Sequence, residues 1–193
     1  VGLPYTNYRP PKGKANPAQV DVHLVLDNLR SILNVGSIFR TADGVGVRQI
    51  HCCGTTPTPD HPKFKKTSLG AETLARWSYH TNAVRLVSDL KTAGNLILAL
   101  ETTPNSISLF QIPAQLRFHT QPVVLVIGNE ISGIDPGILN IADHEINIPM
   151  FGKKTSLNVA VSAGIALYAL TNHLHHSSQH IENGLQSQDI KEI

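Results

Sequence analysis

Apolar residues along this chain fall in short blocks whose period changes from block to block. Val22 to Leu26, Ile50 to Cys53 and Leu96 to Leu100 are compact apolar runs, each the length of one strand. Val123 to Ile127 is apolar at every position, which predicts a strand buried on both faces. His144 to Ile148 alternates polar with apolar and leads into Pro149. Between these runs the pattern predicts helices over Val35 to Gly44, Ala83 to Ala93, Asp135 to Ala142 and Leu157 to His173. Asp135-Pro136 supplies a capping carboxylate followed by proline in the first turn, and Ser156 stands where it can cap the last helix. Strands alternating with helices predict one α/β domain, a mostly parallel sheet with helices on both faces, spanning residues 20–174. Residues 1–19 form a Pro- and Lys-rich arm before it, and residues 175–193 a polar tail after it.

The chain has 193 residues, a length that favours a single domain. Its hydrophobic content of 41% is enough to build a core, while aromatics at 5% disfavour a surface of base-stacking rings. The net charge of +2 is mild but unevenly spread. Residues 1–66 carry nine Lys or Arg against four Asp or Glu, a net of +5, and the rest carries seven against ten, a net of −3. An anionic partner therefore meets the first third of the chain. Within it, the Pro-broken loop from Thr55 to Lys66 ends on Lys63, Lys65 and Lys66, and the arm adds Arg9, Lys12 and Lys14. These six are the candidate phosphate contacts.

Cys52 and Cys53 are adjacent, so they match neither a disulfide framework nor a CxxC metal or redox spacing. The first sixteen residues have no apolar signal core, and the greasiest stretch, Val159 to Leu170, is too short to cross a bilayer. A soluble, reducing, cytoplasmic setting without membrane attachment is the expectation. The histidines near the end of the chain have no cysteine or acidic partner at ligand spacing, so no metal site is expected.

Ligands of parallel α/β sheets bind beyond the carboxyl ends of the strands, so the residues that follow each strand carry the chemistry. After the first strand come Asn34, Gly36 and Arg40; after Leu100 comes Glu101; after Ile127 come Gly128, Asn129 and Glu130; after Ile148 come Ser156, Leu157 and Asn158. Each has a bland explanation when taken alone: Asn34, Ser156 and Asn158 as caps, Glu130 as a helix-start carboxylate, Arg40 as a surface cation. Several common chemistries are missing. Gly152-Lys153-Lys154-Thr155-Ser156 fails the phosphate-loop pattern because Asn147 replaces the first glycine and Lys154 the hydroxyl residue. Neither GxGxxG after the first strand nor GxSxG is present.

Three blocks in this order resemble the SpoU/TrmH family of RNA ribose 2′-O-methyltransferases in the SPOUT superfamily. They are Asn34-x-Gly36-x-x-x-Arg40; Val126-Ile127-Gly128-Asn129-Glu130-x-x-Gly133-Ile134; and Ile148-Pro149-Met150 followed by Ser156-Leu157-Asn158-Val159-Ala160-Val161. Thr67 to Glu72 looks like a further segment common in that family, and the match runs over about residues 20 to 172. Ile131-Ser132 and Ala160 depart from the residues many members carry, and none of these is a proposed catalytic group.

The resemblance implies an α/β fold with a deep C-terminal trefoil knot, S-adenosylmethionine as methyl donor, a tRNA or rRNA substrate, and a homodimer whose active sites are completed across the interface. It implies donor contacts at Leu100, Glu101, Gly128, Ile148 and Leu157. It also implies a catalytic set of Arg40 with Asn34, Glu130, Ser156 and Asn158, and no required metal. An alternative on the same fold is a catalytically silent RNA-binding dimer; a nucleotide-binding module built on Lys153 and Lys154 is a third.

Overall fold

The computed structural model describes residues 20–112 and 121–186, and side chains from residue 21 to 174 within that range. Among the described residues seven strands form one sheet: β1 (Val20–Asp27), β2 (Val47–Cys53), β3 (Trp77–His80), β4 (Leu96–Leu100), β5 (Ile107–Ser108), β6 (Val123–Ile127) and β7 (His144–Asn147). Their order across the sheet is β3-β2-β1-β6-β4-β7-β5, and every described pairing between strands is parallel. Register places Ile50, Leu24, Leu125 and Leu98 side by side across four strands, all essentially removed from solvent. This row is why β6 is apolar at every position: its neighbours and both of its faces are covered.

The helices divide between the two faces. On one, α1 (Ile32–Val45) and α5 (Val159–Gln186) bury Ile38, Phe39, Ala42, Ala163, Leu167 and Leu170 against Leu24, Leu26, Leu98 and Leu125. On the other, α3 (Ala83–Thr92) and α4 (Pro136–Leu139) bury Val87 and Ile138 against Val25, Ile97, Val124 and Val126. A short helix, α2 (Lys65–Ser68), ends the long loop after β2. Phe64 anchors that loop: it is wholly buried, edge-to-face with Phe39 at 4.9 Å between ring centroids. Gly36 has no side chain for a reason, since a Cβ there would collide with Thr67 of α2.

The sequence pattern is corrected at several points. The helix starting near Asp135 is a single turn, capped by the Asp135 carboxylate as predicted, at 2.7 Å from the Gly137 amide. The last helix begins at Val159 and continues to Gln186, so the tail expected from residue 175 starts as helix. Its cap is Asn158, whose Oδ1 accepts from the Ala160 amide at 2.9 Å, rather than Ser156. Ser31 rather than Asn34 caps α1. The strands β3 and β5 escape the pattern because they are short edge strands with neither face fully buried. The arm, with Arg9, Lys12 and Lys14, lies outside the described residues. No helix among the described residues is long and apolar enough to cross a membrane.

Candidate functional site

The carboxyl ends of β4, β6 and β7 open into a cleft of about 600 Å³, a size suited to a nucleoside-sized ligand. Nine sequence-predicted residues line it: Asn34, Leu100, Glu101, Gly128, Glu130, Ile148, Ser156, Leu157 and Asn158. Leu100, Ile127, Ile148, Met150 and Leu157 give it an apolar wall, and Glu101, Glu130 and the asparagines a polar one.

Three separate segments are tied together at its mouth. Glu130, from the loop after β6, accepts hydrogen bonds from the backbone amides of Arg30 at 3.1 Å and Ser31 at 3.3 Å, at the start of α1. It also accepts from the side-chain amide of Asn34 at 3.3 Å. Asn34 in turn accepts from the side-chain amide of Asn158 at 3.2 Å. A carboxylate at a helix N-terminus meets unpaired N–H groups and the positive end of the dipole. Partial burial pushes the Glu130 carboxyl up, but bonds from its own amide, Arg30, Asn34 and Ser31 outweigh it and hold the group below the usual carboxylate range. Glu130 is thus an anion whose oxygens are committed to positioning, which makes it a poor proton acceptor.

The loop after β6 is folded back on itself. Asn129 and Gly133 form a two-way backbone bridge, each amide 3.0 Å from the other's carbonyl oxygen. The Asn129 carbonyl Oδ1 accepts from the amides of Ile131 and Ser132, and its Nδ2 donates to the carbonyl of Asn28 at 2.6 Å. Gly133 takes φ +73°, a conformation glycine adopts without strain. Gly128 also has a structural role. A Cβ there would run into the backbone of Gly133 and Ile134, so its first role is to let the loop close. Glu101 braces the same loop, accepting from the Ile134 amide at 3.0 Å. Asn129, which the sequence places between Gly128 and Glu130 without a role, is the residue that holds this loop in shape.

Ser156 makes no hydrogen bond to a described residue, and its exposed hydroxyl opens onto the cleft. Arg40 is exposed and does not line the cleft of its own chain. Helix geometry explains this: six residues beyond Asn34 it lies about 9 Å along α1 and about 120° around it. Lys63, Lys65 and Lys66 are all exposed, at the end of the loop and the start of α2 on either side of Phe64, which packs on Phe39 of α1. Cys52 and Cys53 are buried free thiols pushed up to about 12 by burial, which makes them inert. The described residues hold no group of three or more His, Cys, Asp or Glu suited to a metal ion.

Comparison with known proteins matches this architecture. The SpoU rRNA Methylase family matches residues 21–168. A tRNA (guanosine(18)-2′-O)-methyltransferase of Aquifex aeolicus is 30% identical over 181 residues, covering 91% of this chain and 80% of that protein. The crystal structure of an A. aeolicus TrmH/SpoU tRNA modifying enzyme superposes with a TM-score of 0.72 at 30% identity, over 83% of this chain and 78% of the other. An AdoMet-bound rRNA methyltransferase from Sinorhizobium meliloti superposes with a TM-score of 0.73 at 28% identity, over 83% of this chain but 59% of the other.

Proposed function

Because the chain belongs to the SpoU rRNA Methylase family, we propose that it is an S-adenosylmethionine-dependent methyltransferase acting on a ribose 2′-hydroxyl of tRNA or rRNA in the cytoplasm. The observation that carries this reading is the Glu130–Asn34–Asn158 chain of hydrogen bonds, which joins the three family blocks around one cleft.

The cleft fits the donor on its own terms. Its volume is that of a small-ligand site, its wall combines aliphatic side chains with backbone at Gly128, and Leu100, Glu101, Gly128, Ile148 and Leu157 are the residues assigned to hold the ligand. Bound there, S-adenosylmethionine would supply an electrophilic methyl group. The chain's own residues do the rest. Ser156 orients the ribose hydroxyl, while Asn34, Glu130 and Asn158 keep the start of α1, the β6 loop and the start of α5 in register. Arg40 stays charged at any ordinary pH, so its part is to grip a phosphate beside the target ribose and stabilise charge developing on the oxygen. That phosphate or another group then takes the proton.

A homodimer completes the site in this reading. Arg40 lies outside the cleft of its own chain, and Leu33 in the first turn of α1, Val161 in the first turn of α5 and Leu157 just before it are exposed. The deep trefoil knot belongs to the same proposal. Its support is the strand order, which inserts β6 between β1 and β4, and the return of residues 148–158 across the cleft to α5. The exposed Lys63, Lys65 and Lys66 meet the RNA backbone, joined by Arg9, Lys12 and Lys14 of the arm.

Calorimetric titration tests the donor: S-adenosylmethionine should bind and ATP should not. Transfer of labelled methyl groups to bulk RNA then separates an enzyme from a silent RNA-binding dimer, which would bind RNA and transfer nothing.

A further inference from the structure

The loop that closes the cleft after β7 carries one aromatic residue, Phe151, and it is 98% exposed, the most exposed large apolar side chain among the described residues. Gly152 beside it has nothing within reach of a would-be Cβ. Lys153 and Lys154 follow, both exposed, and no acidic residue stands between Ile148 and Asn158. Residues 151–156 make no hydrogen bond to described residues, while Met150, Thr155 and Ser156 on either side line the cleft. A ring and two cations therefore project together from the rim of the site. An aromatic ring left in water is costly unless something covers it, and a ring flanked by cations matches a nucleotide, which offers a flat base and a phosphate at adjoining positions.

Resting on the RNA-methylating reading above, we propose that Phe151 stacks on an unpaired base of the substrate RNA beside the target ribose, with Lys153 and Lys154 holding the adjoining phosphates. The consequence is a constraint on the substrate. A base offers its face to a protein ring only when it is out of a helix, so the methylated nucleotide lies in a loop or is drawn out of a stem. The competing occupant is a second copy of this chain. A two-fold contact centred on this loop would turn the lysines of each copy toward those of the other, a like-charge cost that a polyanion does not incur.

The test uses a single-stranded oligoribonucleotide containing 2-aminopurine, whose fluorescence falls when it stacks. Wild type should quench it. Phe151→Leu, which keeps an apolar side chain but removes the ring, should lose the quench and weaken binding about tenfold or more. Phe151→Trp should preserve both. Affinity for S-adenosylmethionine and the sedimentation coefficient should not change. Equal binding and quenching by Phe151→Leu overturns the proposal, and so does a shift of that variant toward monomer with RNA affinity per site unaltered. A wild-type protein that quenches through Phe151 but methylates no RNA leaves the stacking site standing and contradicts the methylation reading. RNA methylation by Phe151→Leu with an unchanged KM overturns the stacking site alone.

Discussion

The side-chain amide of Asn158 donates to the side-chain oxygen of Asn34 across 3.2 Å, joining the cap of α5 to the first turn of α1 over 124 positions of sequence. Asn158 uses its own oxygen to cap α5, and Asn34 uses its amide to reach Glu130. Each asparagine thus works in both directions, which an acceptor-only carboxylate at either place would not reproduce.

Coupling between the two follows. Asn34→Ala and Asn158→Ala should each lower kcat/KM, and the double variant should lose less than the two losses combined. Groups in direct contact typically couple by about 0.5–3 kcal/mol, and a four-way comparison of kcat/KM reads that energy. Additive losses would mean the bond is incidental.

Gly128 is expected to tolerate no side chain. Gly128→Ala forces the β6 loop open against Gly133 and Ile134, at about 1–3 kcal/mol for an overpacked site. Both the thermal midpoint and the affinity for S-adenosylmethionine should fall. An unchanged affinity would show that the closed loop is not needed for the donor.

Neutralising Lys63, Lys65 and Lys66 together should flatten the salt dependence of RNA binding. Each phosphate contact adds about 0.7–0.9 to the slope of log K against log salt. The triple Gln variant should therefore lose about 2 or more, and the same slope as wild type would remove these lysines from the interface.

Acid should loosen the β1–β2–β3 side of the sheet. His23, His51 and His80 form a row across these strands, with His51 Nε2 3.1 Å from His23 Nδ1 and His51 Nδ1 3.2 Å from His80 Nε2. Ser78 joins the row at 3.0 Å from His51; burial lowers His23, with Asp21 attracting a proton to it and Arg48 opposing it. Burial, reinforced by His23 and His80, lowers His51 from 6.5 to about 4. The unfolded chain then takes up a proton before the folded one, so stability is full above about pH 6.5 and is lost as pH falls toward 4. Urea midpoints across that range should show the fall, and His51→Gln should reduce its slope; a variant as pH-sensitive as wild type would assign the effect elsewhere.

The sheet was legible because β1, β4 and β6 are buried and their apolar runs have no competing explanation. The residues that line the cleft were legible as candidates because they follow β1, β4, β6 and β7, at the end of the sheet where parallel sheets collect polar groups. What stayed hidden was decided by contacts distant in sequence. Nothing local distinguishes Ser31 from Asn34 as the cap of α1, or Asn158 from Ser156 as the cap of α5, until Glu130 is brought to the start of α1. Nothing local shows that Gly128 must lack a side chain because the fold brings the backbone of Gly133 and Ile134 over it. The edge strands β3 and β5 have four and two residues, too few for a period to register.

The most direct test of the account is where the methyl group goes. Bulk RNA from a strain lacking this protein, incubated with the protein and labelled S-adenosylmethionine, digested to nucleosides and resolved by mass spectrometry, should carry the label in a 2′-O-methylnucleoside. Arg40→Ala should bind donor and RNA but transfer about 10²–10³ times more slowly. Label on a base, no transfer to any RNA, or full turnover by Arg40→Ala would contradict the account.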